Sequence, residues 1–137
     1  MLNAVIQKLG ADTQLLAIVP NGVYEDLAPA GSKRFVIVSH IIVTDVAVLH
    51  EGRVIEDGLY LVEARVLGSA NVGAAAAAAV RIDELLEDGT LEVPGYQVSG
   101  MHREEFLRGT EIDAVDPSII WKRRGGRYRV TAYREGG

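Results

Sequence analysis

The chain has 137 residues and 48% of them are hydrophobic, so its length and composition predict one domain with a sizeable core. It contains no cysteine, which excludes a disulfide framework and a thiolate metal site. The net charge of −5 argues against a general nucleic-acid binder. The longest apolar run, from Ala74 to Val80, is far shorter than the ~18 residues that a membrane span needs, so we expect no membrane partner.

The first third of the chain predicts two short helices followed by a strand. Apolar residues recur at helical spacing up to Gly10, at Leu2, Val5, Ile6 and Leu9. Asp12 is placed to cap a second helical turn, and Pro20-Asn21-Gly22 reads as a turn before an extended connection over residues 23–34. The segment "FVIVSHIIV" (35–43) predicts a strand that is apolar on both faces, so both faces are expected to be covered.

The next segment predicts a long hairpin arm. "TDVAVLHEGRVIEDG" (44–58) carries turn signals at Glu51-Gly52 and at Asp57-Gly58, and it has no long apolar face of its own. We expect it to project from the domain. A second strand follows over residues 59–67, and its alternation places one set of apolar side chains on a single face: Tyr60, Val62, Ala64 and Val66.

Six consecutive alanines open a helix between Asn71 and Gly89, with Ser69 or Asn71 as candidate N-cap and Gly89 as candidate C′ residue. At about 100° per residue, one stripe is expected to pack on the sheet: Val72, Ala75, Ala76, Ala79, Ile82 and Leu86. A second stripe lies on a different side: Ala74, Ala78 and Leu85. Because alanine lets backbones approach closely, we expect the second stripe to meet a neighbouring subunit.

The last third of the chain predicts three strands. "YQVSGMHREEF" (96–106) reads as a strand and "LRGTEIDAVDP" (107–117) as an acidic loop. "SIIWKR" and "RYRVTAYRE" read as two strands joined by a tight turn at Gly125-Gly126, with Trp121 largely buried. Strands and helices do not alternate regularly. The fold class is therefore α+β, a mostly antiparallel β-sheet with helices packed on one face and a long hairpin arm.

The chain has no motif that predicts catalysis or cofactor binding. Neither a phosphate-binding loop nor a dinucleotide fingerprint is present, and His40, His50 and His102 are far apart. Because neighbours in a regular strand point to opposite faces, we expect adjacent Glu104 and Glu105 not to act as a carboxylate pair. The acidic residues Glu111, Asp113 and Asp116 do not follow the calcium-loop spacing. We therefore predict no catalytic residue, no metal and no cofactor, and hence no enzyme.

The C-terminal segment is basic, and two interpretations of it stay open. The basic residues are Lys122, Arg123, Arg124, Arg127, Arg129 and Arg134. They can form a solvated surface that offsets the acidic loop, or a surface that meets an acidic partner.

The order of these elements resembles one protein family over nearly the whole chain. An N-terminal helix precedes "GVYEDLAPAGSKRFVIVSH" and "YLVEARVLG", and an alanine-rich helix ending in "AAVRIDELL" precedes the closing strand "GGRYRVTAYRE". This arrangement is similar to that of the tail-terminator proteins of long-tailed bacteriophages, also called tail-completion, minor tail or head–tail joining proteins. The extended arm and the acidic loop before Pro117 depart from the family pattern.

The resemblance implies a single structural α+β domain over residues 1–137 that forms a hexameric ring in the virion. Such a ring caps the tail tube at its neck-proximal end, ends tube polymerisation and presents the surface that docks to the head. The implied partners are other copies of the chain, the major tail-tube protein and the head–tail connector or stopper protein. DNA passes through without sequence recognition, and assembly takes place in the cytoplasm of the bacterial host.

Two surfaces are candidates for these contacts. The subunit interface is predicted at the second helix stripe and on the mixed face of the second strand: Ala74, Ala78, Leu85, Leu61, Glu63 and Arg65. The contact with the tail tube or a neighbour is predicted on the arm: Asp45, Val46, Val48, His50, Arg53 and Ile55. Two alternatives stay open, another neck component such as a stopper or adaptor, and a small ligand-binding or enzymatic domain.

Overall fold

The fold is that of a computed structural model, which describes residues 1–47, 54–68 and 72–134. Within these described ranges, three helices and five strands follow one another. In chain order they are α1 (Leu2–Gly10), α2 (Thr13–Ile18), β1 (Val23–Glu25), β2 (Arg34–Ala47), β3 (Val54–Leu67), α3 (Val72–Leu86), β4 (Tyr96–Ile112) and β5 (Ile120–Arg134).

The five strands form one sheet in the order β1-β2-β3-β5-β4. Only β1 and β2 pair in parallel, and every other neighbouring pair is antiparallel. The side chains of α1, α2 and α3 share one buried cluster with one face of the sheet. The predicted fold class is thus confirmed: an α+β fold whose mostly antiparallel sheet carries its helices on one face.

The predicted N-terminal helix is confirmed, and so is Asp12 as the cap of the second helix. Helix α1 buries Val5 and Leu9, and the Asp12 carboxylate at the N-cap of α2 accepts a hydrogen bond from the Leu15 amide at 2.8 Å. Arg81 of α3 donates to the same carboxylate, from Nε at 2.8 Å and from Nη2 at 2.7 Å. The Asp12 side chain therefore caps α2 and also links α2 to α3.

The predicted apolar face of the second strand is also confirmed. Tyr60, Val62, Ala64 and Val66 are fully buried against the helices. On β5, Tyr128, Val130 and Ala132 bury the same face of the sheet. Period-two alternation therefore identifies the core side of both central strands.

The predicted turn at Gly125-Gly126 is wrong, because both glycines lie inside the single continuous strand β5. They pair with Glu63 and Val62 of β3 on one side and with β4 on the other. A Cβ on Gly125 would stand 1.9 Å from the carbonyl oxygen of Val62, and one on Gly126 would stand 2.8 Å from that of Glu105. The glycines are thus present because three backbones approach closely here, and neither has the positive φ of a primed turn.

The turn predicted at Asp57-Gly58 is wrong for the same kind of reason. Gly58 pairs with Val43 of β2 and with Val130 of β5, so it lies in the middle of the sheet. A Cβ on Gly58 would stand 2.7 Å from the Tyr60 ring. The predicted arm is therefore a continuation of β2 and β3, whose pairing is described as far as Ala47 and Val54, and residues 48–53 lie outside the described ranges.

Three further boundaries differ from the predictions. Strand β4 continues to Ile112, so only the end of the predicted acidic loop lies outside a strand. After α3, Asp88 takes the left-handed conformation (φ 52°) that was expected of Gly89. Trp121 is half-buried instead of largely buried, because it lies on the face without helices, edge-on to Phe35 with ring centroids 5.5 Å apart.

We predict that Gly125→Ala destabilises the protein by about 3 kcal/mol or more, because the new Cβ would overlap the β3 backbone, which cannot move without opening the sheet. Gly100→Ala on β4 is the matched control, since its Cβ would meet nothing within 4 Å, and its expected change is about 0.5 kcal/mol or less. Urea unfolding of both variants measures the difference. Equal stabilities would contradict the close approach.

The Asp12 carboxylate should make stability depend on acid pH. Its hydrogen bonds from Arg81 hold the pKa of Asp12 below the usual value of an aspartate. The stability that this carboxylate contributes is therefore present above the unfolded-state pKa and is lost as the pH falls through the lower folded-state pKa. Asp12→Ala should cost about 1–2 kcal/mol at neutral pH through the lost cap. Asp12→Asn keeps an acceptor for the cap, so it should cost less and should flatten the dependence on acid pH. Urea unfolding across the acid range tests both variants, and an unchanged pH profile in Asp12→Asn would contradict this role.

Candidate assembly surfaces

Helix α3 packs on the sheet through a stripe that partly matches the predicted one. Among its described side chains, the fully buried ones are Ala75, Ala78, Ile82 and Leu86. The prediction is confirmed for Ala75, Ile82 and Leu86. The prediction that Ala78 meets a neighbouring subunit is therefore wrong, because its side chain is fully buried within one chain as part of the core cluster. The predicted core positions Ala76 and Ala79 are only half-buried. Ala74 and Leu85 are half-buried too, and their contact with a neighbour stays a prediction.

This orientation of α3 leaves a groove of about 420 Å³ between the helix and β4. The helix lines it with Ala76, Ala79 and Val80, and Phe106 lines it from the strand. Two of these side chains are large, apolar and exposed, Val80 at 59% and Phe106 at 62%. Two alanines thus form part of the helix side of the groove, and two exposed apolar side chains stand along it.

The acidic residues around this α3–β4 groove are already paired within the chain. Arg103 donates from Nη1 to both Asp83 oxygens at 2.7 Å, and the Tyr128 hydroxyl donates to Asp83 at 2.9 Å. Arg81 donates to Glu84 at 2.9 Å. The hydrogen bond to Asp83 raises the pKa of Arg103, and burial together with the same carboxylate raises the pKa of Tyr128. Both groups therefore stay protonated at neutral pH and hold Asp83 in place.

Two basic residues that line the groove lack the ion pairs that its acidic residues make among the described residues. Arg103 stacks over the Phe106 ring with its guanidinium carbon 3.7 Å from the ring centroid. Arg108 and Arg124 line the same groove, and within the part of the chain that the structure describes neither makes an ion pair. The groove therefore presents an apolar wall with unpaired positive charge beside it.

On the face of the sheet without helices, most charged side chains form ion pairs, in contrast to the unpaired arginines of the α3–β4 groove. Arg65 donates to the buried Glu63 carboxylate at 2.9 Å, and Arg123 lies 4.0 Å from the same oxygen. Further along the sheet, ion pairs join Arg127 to Glu105 at 2.8 Å, and Arg129 to Asp57 at 2.8 Å and to Glu104. The predicted interface residues Leu61, Glu63 and Arg65 lie on this face, and a neighbour's contact with them stays a prediction.

A short acidic segment with an exposed leucine lies at the other edge of the sheet. Strand β1 ends at Glu25, Asp26 takes a left-handed conformation (φ 58°), and Leu27 is 83% exposed. The Asp26 amide donates to the Val38 carbonyl at 3.2 Å, which fixes the segment to β2. Glu25 and Asp26 make no ion pair among the described residues. We call residues 25–27 the acidic knob.

The predicted arm residues are only partly described. Asp45 pairs with Glu56 and Val46 with Ile55 across β2 and β3. Val48, His50 and Arg53 lie outside the described residues. The arm's contact with a tail tube or a neighbour therefore stays a prediction.

The acidic loop is organised by its own backbone. The Asp113 carboxylate accepts hydrogen bonds from the amides of Asp116 at 2.9 Å and Val115 at 2.8 Å, which lower the pKa of Asp113. Among the described residues, no group of three or more His, Cys, Asp or Glu side chains could hold a metal ion. No helix in the described ranges is long and apolar enough to cross a membrane.

The comparisons with known proteins give a likeness in structure alone. No protein-family model matches the chain, and no curated protein matches it in sequence. A chain in a solved structure of the virion of a native gene transfer agent particle superposes with a TM-score of 0.66. The match covers 96% of this chain and 94% of that one at 22% sequence identity. The two chains therefore share a fold over almost their whole lengths.

We predict that arginine has opposite effects at two neighbouring positions of α3. Ala78→Arg should unfold the protein, because it places an unpaired charge in the core. Val80→Arg should leave the fold intact, because that position is exposed. Circular dichroism and thermal unfolding of the two variants test whether Ala78 faces the core and Val80 faces solvent. A folded Ala78→Arg variant together with an unfolded Val80→Arg variant would contradict this orientation of the helix.

Proposed function

We propose that this chain is a structural protein of a phage-like virion and acts as its tail terminator. In this proposal it forms a hexameric ring that caps the tail tube, ends polymerisation of the tube and presents the surface that docks to the head, with DNA passing through the ring. The observation that carries the proposal is the fold shared with a chain of a gene transfer agent virion, with coverage above nine-tenths in both chains. The order of elements, which resembles tail terminators, supports the same role.

The surfaces of the domain also support assembly with copies of itself. The α3–β4 groove and the acidic knob lie at opposite edges of the sheet, and each exposes a large apolar side chain together with charges that have no partner in the described chain. Two different patches on one subunit are what a head-to-tail contact needs, and such contacts close into rings when the rotation allows.

A second candidate is another neck component, such as a stopper or adaptor, that contacts DNA. The observation that favours it is the cluster of Arg108, Lys122, Arg123 and Arg124 around Gly109 at one end of the β4–β5 pair. Basic side chains of this kind neutralise phosphates, so DNA binding through them would weaken steeply with salt.

We expect the purified protein to form a ring, either at high concentration or on the end of its tail tube, and expect added protein to shorten tubes. Electron microscopy of the protein alone and mixed with its tail-tube protein, together with mass measurement over a wide concentration range, tests this. Tubes that grow to the same length with and without the protein would contradict the tail-terminator role.

Val80→Arg is the variant for that experiment, because it should keep the fold and lose the assembly. Val115→Arg is its matched control: Val115 is 94% exposed in the loop between β4 and β5, outside the groove. Assembly that fails equally in both variants would point away from the α3–β4 groove.

A further inference from the structure

We propose that the acidic knob of one copy seats in the α3–β4 groove of the next copy, with Leu27 against Val80 and Phe106 and with the knob carboxylates facing Arg108 and Arg124. This inference rests on the proposed function, in which the chain assembles with itself. It goes further by identifying which two surfaces meet and which side chains join them.

The charges of the two surfaces are complementary. Glu25 and Asp26 are exposed and lack an ion-pair partner among the described residues. Arg108 and Arg124 also lack an ion-pair partner among those residues. By contrast, the acids beside the groove, Asp83 and Glu84, are bound by Arg103 and Arg81. An incoming acidic segment therefore meets unpaired positive charge, which sets its orientation on the groove.

The apolar parts of the two surfaces also match. Among the described residues outside the β4–β5 loop, Leu27 is the most exposed large hydrophobic residue, at 83%. The groove has room for such a side chain because small residues line it, Ala76 and Ala79 from the helix and Gly125 from the sheet. Val80 and Phe106 stand beside that space and would lose their exposed apolar surface on contact, which favours association.

The positions of the two surfaces suit a repeating contact. The knob follows β1 at one edge of the sheet and the groove borders β4 at the other, so four strand spacings of nearly 5 Å, about 19 Å in all, separate them across the sheet. Because the two patches are different and distant, each copy can use both at once. The contact is then head-to-tail and can repeat around a ring.

A disulfide test is clean in this protein because the chain contains no cysteine. In the double variant Leu27→Cys/Val80→Cys, oxidation of the assembled protein should link successive copies and give a ladder of oligomers on a non-reducing gel. A disulfide needs Cα atoms within about 7 Å, so the ladder requires the proposed neighbours. The matched control is Leu27→Cys/Val115→Cys, which should give no ladder.

The single variants test the direction of the contact. Neither Leu27→Cys nor Val80→Cys alone should cross-link. A disulfide dimer of Val80→Cys alone would mean that groove faces groove, and it would overturn the inference.

A charge exchange tests the same contact without cysteine. Arg108→Glu should raise the concentration needed for half-assembly by about tenfold, and Glu25→Arg added to it should restore most of that loss. Both residues are exposed, so the fold should be unaffected. Unchanged assembly in Arg108→Glu, together with weaker binding of double-stranded DNA, would assign the arginine to DNA contact and would overturn the inference.

Mass measurement of the unmodified protein separates failure of this inference from failure of the proposed function. If the protein assembles but the Leu27→Cys/Val80→Cys variant gives no ladder, the inference is wrong and the ring proposal stands. If the protein stays monomeric at every concentration and in the presence of tail tubes, both are wrong.

Discussion

The close approach of three backbones at Gly125 and Gly126 is the constraint on which the rest of the structure depends. A side chain on either glycine would push β3 or β4 away from β5. Without side chains there, β5 runs unbroken between the β2–β3 hairpin and β4, so the sheet is one layer that the helices can cover. Gly126 pairs with Phe106, and Gly125 lines the groove beside α3. The same two residues therefore hold the sheet together and leave room for a groove.

The alanines of α3 have the matching role on the helix side. Ala78 lets the helix lie close to the sheet in the core. Ala76 and Ala79 line the groove, and their small side chains leave space in it. The second half of the helix carries Ile82 and Leu86, whose burial anchors it. Charge follows the same division: the face without helices mostly pairs its charges internally, whereas Arg108 and Arg124 beside the groove have no ion-pair partner in the described ranges. Packing and electrostatics thus both support the proposal that another copy of the chain binds in the groove.

The parts of the fold that the sequence predicts are those where periodicity or a local cap decides the structure. The helical spacing up to Gly10, the Asp12 cap and the alternation from Tyr60 to Val66 are all of this kind. The two wrong glycine turns, at Gly125-Gly126 and at Asp57-Gly58, share one physical origin, since the strands that pair with these glycines are distant in the chain. A Gly-Gly pair occurs both in tight turns and in strands that other backbones approach closely. Here the carbonyl oxygens of Val62 and Glu105, which lie close to the two glycines, identify the second case. Six identical alanines cannot show which of them faces the sheet, so the sequence predicts the wrong surroundings for Ala78.

In the proposed assembly, the α3–β4 groove is open in one chain because another copy covers it. Electron cryomicroscopy of the assembled protein, at a resolution that shows side chains, is the decisive measurement. We expect Val80 and Phe106 of each subunit to be buried by the neighbouring subunit. An assembled ring in which both side chains remain open to solvent would contradict it, whatever surfaces joined the subunits.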